Sequence, residues 1–172
     1  MKSVFILSAK DQIEQLIKPL LSGSENLEIQ QVRLTSEELT VVAVSSQKAV
    51  PCPICGQEAR RVHSSYVRTL QDLPWGPLRL QLQVRVHRFF CQNSNCLRKI
   101  FTERFSELME PSSRRTNRLR DALCTIGWVL GGRAGARQCA TQAVPVCATT
   151  LLTLLRREAR SSCSDPSGSG RG

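Results

Sequence analysis

A chain of 172 residues holds one ordinary domain or two small ones, and its 24 Lys and Arg against 14 Asp and Glu give a formal charge of +10. That excess selects a polyanion as partner, nucleic acid first. No run reaches transmembrane length, and no segment couples its arginines to a broad apolar face, so a membrane partner is not expected.

The positive charge is not spread evenly. Residues 1–50 carry 5 basic and 6 acidic side chains, residues 51–97 carry 6 and 2, and residues 98–160 carry 12 and 5, while the tail is neutral. The basic character begins at the first cysteine and rises after it.

Lys10, Asp11, Glu14 and Lys18 interrupt the apolar residues near the amino terminus, which argues against a secretory signal and for a reducing cytoplasm. Ile13, Leu16, Ile17, Leu20 and Leu21 recur at three- and four-residue steps before Gly23, predicting a helix or arm over residues 1–24. Alternation follows. Leu27, Ile29 and, after a break in phase, Val32 and Leu34 predict one strand, Leu39 to Val44 another, joined through Thr35-Ser36-Glu37-Glu38.

Two cysteine pairs come next, Cys52-Pro53-Ile54-Cys55-Gly56 and Cys91-Gln92-Asn93-Ser94-Asn95-Cys96. Each fits one tight turn, and a tetrahedral Zn2+ takes two thiolates from each, so Cys52, Cys55, Cys91 and Cys96 are the predicted ligands of one structural zinc ion. A disulfide pair needs an oxidising compartment, and a thioredoxin-type motif would leave Cys91 and Cys96 idle. His63 and His87 are substitute ligands, but four thiolates already close the shell. Arg60, Arg61, Arg98 and Lys99 flank the site and offset its negative charge.

Between the pairs, Arg61 to Leu70 and Leu78 to Phe90 predict strands. In the second, Leu78, Leu80, Leu82, Val84 and Val86 alternate with Arg79, Gln81, Gln83, Arg85 and His87, placing an apolar face inward and a basic one outward. Trp75, Phe89 and Phe90 are expected in the core. A short strand near Lys99 to Phe105 completes a β-rich unit over residues 25–110.

After Pro111 the period becomes helical. Ser112 or Ser113 is the expected cap of a helix with the stripe Leu119, Ala122, Leu123, Ile126 and Leu130, stopped by Gly131-Gly132. A short alanine-rich helix, about Arg133 to Ala143, and a third from about Thr149 to Ala159 with Leu151, Leu154 and Leu155 inward follow. The predicted fold is therefore α+β: a small antiparallel β zinc-ribbon-like domain, then a three-helix helix-turn-helix domain over residues 111–160 and a flexible tail over 161–172. In that arrangement Thr149, Thr150 and Thr153 face bases while Arg156, Arg157 and Arg160 face phosphates, the alternative being that the three arginines only complement the dipole at their helix's carboxyl end. Arg114, Arg115, Arg118 and Arg120 crowd a helix start, where they oppose its dipole and call for an anionic ligand, and the first three are the expected DNA contacts. Cys124, Cys139 and Cys147 are expected as small buried hydrophobes.

Cys52 to Gly56, Arg61 to Tyr66, Arg68 to Trp75, Val86 to Cys91, Cys96 and Lys99-Ile100-Phe101 together resemble the amino-terminal zinc-finger region of ISL-three-type insertion-sequence transposases, and the likeness extends through Arg114-Arg115-Thr116, Leu130 to Arg137 and Thr150 to Leu152. The resemblance implies a bacterial, nucleoid-associated protein that binds double-stranded DNA at the ends of a mobile element and competes there with an intact transposase, Arg133 and Arg137 completing its DNA-contacting set. It also implies a later acidic-triad domain, for which the residues after the third helix leave no room. The expectation is a truncated DNA-binding fragment with no catalytic residues and no small-molecule substrate. Glu103, Glu107, Glu110 and Asp121 are then solvated charges or arginine partners. The alternative is a zinc-stapled protein-interaction module using Arg79, Arg85 and Arg88.

Overall fold

The computed structural model describes Gln15, Ile17, Lys18 and residues 26–162. In it the strands β1 (Leu27–Leu34), β2 (Glu38–Ser45), β3 (Val50–Pro51), β4 (Glu58–Ala59), β5 (Val62–Trp75), β6 (Leu78–Phe90) and β7 (Ile100–Thr102) precede the helices α1 (Asn117–Thr141) and α2 (Ala148–Ser162).

β6 is the spine. Its period-two pattern buries Leu80, Leu82, Val84 and Val86 to 1% exposure or less, and each such side chain contributes about 2 kcal/mol by leaving water. β5 pairs with it antiparallel across a turn in which Gly76 takes a positive φ of 59°. The hairpin is longer than the sequence suggests, because residues 71–75 remain extended. On the opposite edge of β6 lies β2, parallel to it, with β1 outside β2. β7 pairs with the end of β6, continuing the line of β2. The sheet is thus mixed, where a wholly antiparallel one was expected. A parallel neighbour needs a crossover, and β3, β4 and β5 all lie within it.

The phase break in β1 is a bulge between Ile29 and Gln31. Ile17, Phe105, Leu108 and Met109 join the strand residues in one core. The amino-terminal helix expected over residues 1–24 lies largely outside the described residues, although Gln15 and Ile17 are helical and Ile17 is fully buried. The tail beyond Ser162 also lies outside them. Trp75, expected in the core, is 37% exposed at the hairpin end.

The three-helix helix-turn-helix domain is not formed. Two helical elements follow the sheet, because the residues expected to make two well-separated helices form α1, whose two helical stretches meet directly at a kink where Gly131 alone is non-helical (φ 71°, ψ −176°). Gly131-Gly132 has the composition of a helix stop, but Gly131 alone departs from helical geometry, in a backbone region that only glycine occupies readily. Leu130 is consequently 44% exposed instead of closing the apolar stripe. Glycines also set the distance between the helices. A Cβ at Gly127 would lie 3.2 Å from Leu155, at Gly132 3.1 Å from Leu152, and at Gly135 3.0 Å from Leu151. Leu119, Leu123, Cys139, Val144 and Leu151 form the helical core, against which Leu73 of β5 packs.

The cap of α1 is Thr116 and not Ser112 or Ser113. Its hydroxyl accepts from the Leu119 amide and donates to Asp72 Oδ1 at 2.6 Å. Gln71 on β5 exchanges backbone hydrogen bonds with Arg114 and Thr116. Asp72, buried at the sheet edge, therefore ties the first turn of α1 to β5.

Candidate metal centre and its basic surroundings

Two short turns bring the four predicted ligands together. In the first, the Gly56 amide donates to the Cys52 carbonyl at 2.9 Å, and Gly56 takes a φ of 71° so that the chain returns as β4 beside β3. In the second, Asn93 caps its own turn by accepting the Asn95 amide at 2.9 Å, and the Cys96 amide donates to the Asn93 carbonyl. The Cys91 amide donates to Lys99, anchoring that turn where β7 meets β6. Phe89, one step out of phase with the main alternation, enters a separate cluster with Val50, Ala59, Phe101, Cys52 and Cys96. The cysteines are rooted in this small core.

All four sulfurs lie within 4.8 Å of one another, with Cys52 to Cys96 at 3.9 Å and Cys55 to Cys91 at 3.6 Å. Tetrahedral thiolates about 2.3 Å from Zn2+ stand about 3.8 Å apart, whereas a disulfide requires about 2.05 Å. The donor set and spacing fit one structural zinc ion held by Cys52, Cys55, Cys91 and Cys96. Their proton affinities pull apart. Hydrogen bonding from the Cys55 amide holds Cys52 down at about 6, whereas Cys91, despite the Asn93 amide, is pushed up to about 12 by burial and by the Cys55 thiol. A divalent cation held by Cys52, Cys55, Cys91 and Cys96 would resolve that competition by taking all four as thiolates.

Neither histidine belongs to the cluster. His63 packs edge-on to Phe90 with its Nδ1 2.9 Å from Ser64 Oγ, and His87 Nδ1 lies 3.3 Å from Glu103. Glu103 is not a solvated charge: its carboxylate is buried and accepts from Ser45 Oγ at 2.6 Å and from the His87 amide. No sequence pattern marked it, because the burial arises where the residue after β7 meets Ser45 at the end of β2 and His87 on β6. Glu110 and Asp121 do pair with an arginine, Arg120.

The flanking cations have separate occupations. Arg60 pairs with Glu58, Arg61 lies 4.9 Å from the centre of the Phe90 ring, and Lys99 donates to the Ser94 carbonyl.

Among the residues expected to meet DNA, Arg114, Arg115 and Arg157 line one cleft between the segment before α1 and the side of α2. Arg118 does not project freely, since Nε and Nη2 both donate to Asp72. Arg133 and Arg137 are exposed on α1 beyond Gly131. Thr149, Thr153, Arg156, Arg157 and Arg160 are exposed on α2, but the Thr153 hydroxyl donates to the Thr149 carbonyl and the Thr150 hydroxyl lies 3.1 Å from Cys147 Sγ. Cys147 is exposed at the start of α2, contrary to the expectation of burial. Its hydrogen-bonding neighbour Thr150 lowers its thiol pKa, while burial raises those of Cys124 and Cys139.

Among the described residues no helix is long and apolar enough to cross a membrane. Residues 48–96 match the family described as the zinc-finger of transposase IS204/IS1001/IS1096/IS1165, a span that ends on the last of the four cysteines. No curated relative and no solved structure matches the chain. The match supports a transposase-related role for the segment that carries the metal centre.

Proposed function

We propose that the chain is a DNA-binding part of an insertion-sequence transposase, that it recognises the ends of its element as duplex DNA, and that it binds without cutting. The observation that carries this reading is the match of residues 48–96 to a transposase zinc finger, over the segment whose four sulfurs converge. The formal charge of +10 supports an anionic partner.

Binding without cutting is supported by the occupations of the acidic side chains. Metal-assisted phosphoryl transfer needs carboxylates that converge on shared ions. Here Asp72 is bound by Arg118 and Thr116, Glu103 by Ser45 and the His87 amide, and Glu110 and Asp121 by Arg120. The alternative, an acidic protein docked on Arg79, Arg85 and Arg88, is weakened because Arg79 already pairs with Glu37 at 2.9 Å and Arg88 stacks over Tyr66.

The test is binding of the zinc-loaded chain to a labelled duplex copied from the ends of its own element, against a scrambled duplex, as salt is raised. Affinity is expected to fall steeply with salt for both, and the element-end duplex to bind at least tenfold more tightly. Equal affinity for the two would remove end recognition. Failure to bind either at low salt would remove the DNA reading altogether.

A further inference from the structure

Residues 110–115 form a ridge with a cleft on each side, and the two clefts share Pro111 and Ser112. On the helical side the cleft has a volume of about 690 Å³, enough for a phosphate and its sugar, and Arg114, Arg115 and Arg157 line it alongside the acids Glu110 and Glu158. Arg120 also reaches it but is neutralised by Glu110 and Asp121. On the sheet side Arg68, Arg98 and Arg104 line the second cleft. Its one acid, Glu103, is turned to Ser45 and the His87 amide.

Two features mark the ridge as a place for an anion. Arg115 Nε is buried with no hydrogen-bond partner among the described residues, an arrangement that folding alone does not favour. Ser112, at the rim common to both clefts, holds a φ of 62°, and backbone strain of this kind gathers at ligand-binding sites. Arg68 fixes the ridge from below, Nη2 donating to the Ser113 carbonyl at 2.7 Å.

We propose that the two clefts are one track for consecutive phosphates of a DNA strand, running from Arg98 beside the cysteine centre, over Ser112, to Arg157 on α2, with Arg115 as its central anchor. The track rests on the DNA-binding reading above and deepens it, because it makes the metal-bearing sheet and the helices grip one backbone together. Guanidinium groups match phosphate oxygens bidentately, and consecutive phosphates suit two clefts in a row better than a single small anion does.

The experiment measures anisotropy of a labelled random-sequence duplex against salt, using the zinc-loaded full chain. Each phosphate contact contributes about 0.9 to the slope of log affinity against log salt. Arg114→Ser with Arg115→Ser, and separately Arg98→Ser with Arg104→Ser, are each expected to flatten that slope by about 1.8, and the four together by about 3.6. Lys48→Ser with Arg85→Ser removes equal charge outside both clefts and is expected to leave the slope unchanged. Zinc content and melting temperature verify folding, and Arg115→Lys, which keeps the charge but loses the fork, is expected to weaken binding with little change in slope. If only one cleft pair flattens the slope, the continuous track is overturned. If wild type binds but both cleft pairs behave like the control, the track falls and the DNA reading stands. If wild type does not bind duplex but binds polyglutamate, both fall and the partner is an acidic protein.

Discussion

The sheet and the helical pair reach stability by opposite means. Over β1–β7 the core comes from side chains large enough to fill space, one residue in two, and two turns are locked at their ends by four sulfurs. Between α1 and α2 the contact depends on side chains that are missing, at Gly127, Gly132 and Gly135. The first arrangement carries the four-cysteine site that fits a structural zinc ion. The second has little tolerance for added volume, and it leans on β5 through Asp72 and Leu73.

The severest challenge to that contrast is metal removal. Structural zinc is worth roughly 10–16 kcal/mol of apparent binding energy, comparable with the stability of a whole domain. Cys55→Ser, at an exposed ligand that leaves no cavity, is expected to abolish zinc retention and the cooperative thermal transition. An unchanged melting curve by circular dichroism would show that the sheet stands without its clasp. Next in size is Asp72→Ala. It strips Arg118 of its partner and Thr116 of its acceptor at a buried site, and is expected to cost about 3 kcal/mol in urea unfolding, with zinc stoichiometry intact. A loss of zinc in that variant would mean the two regions are not separable. Gly131→Ala forces a side chain into a backbone region kept for glycine and is expected to cost about 1–3 kcal/mol.

The smallest effects sharpen the contrast most. Gly135→Ala presses on Leu151, which is fully buried and cannot swing away, so overpacking outweighs the gain in helix propensity and the net loss is about 1 kcal/mol. Gly132→Ala meets Leu152, 42% exposed and free to turn outward, and is expected to fall within about 0.5 kcal/mol of wild type. Equal losses at the two positions would show that the helices are held apart by something other than these contacts.

What could be read from the sequence follows the range of the interactions. The metal site was legible because each cysteine pair must occupy one turn, and zinc accepts two such turns wherever the chain brings them together. β6 was legible because one strand carries the whole alternation, and the bulge in β1 appeared as a break in phase. The parallel contact of β2 with β6 was not, since nothing in either strand names its neighbour. The burial of Glu103 and Asp72 was hidden for the same reason: each carboxylate is enclosed by partners distant in the chain. The helical region was misread at Gly131-Gly132, where composition signals a stop but the second glycine resumes the helix.

The parallel pairing of β2 with β6 also bears on how the molecule assembles. β1 and β2 can zip locally, as β5 and β6 can later, but β2 gains its inner neighbour only after the crossover that carries β3 to β5, with Cys52 and Cys55, has been synthesised. Until then one flank of β2 is an open edge whose amides face water, a template for wrong pairing, and joining the two hairpins closes the longest strand-to-strand loop of the sheet.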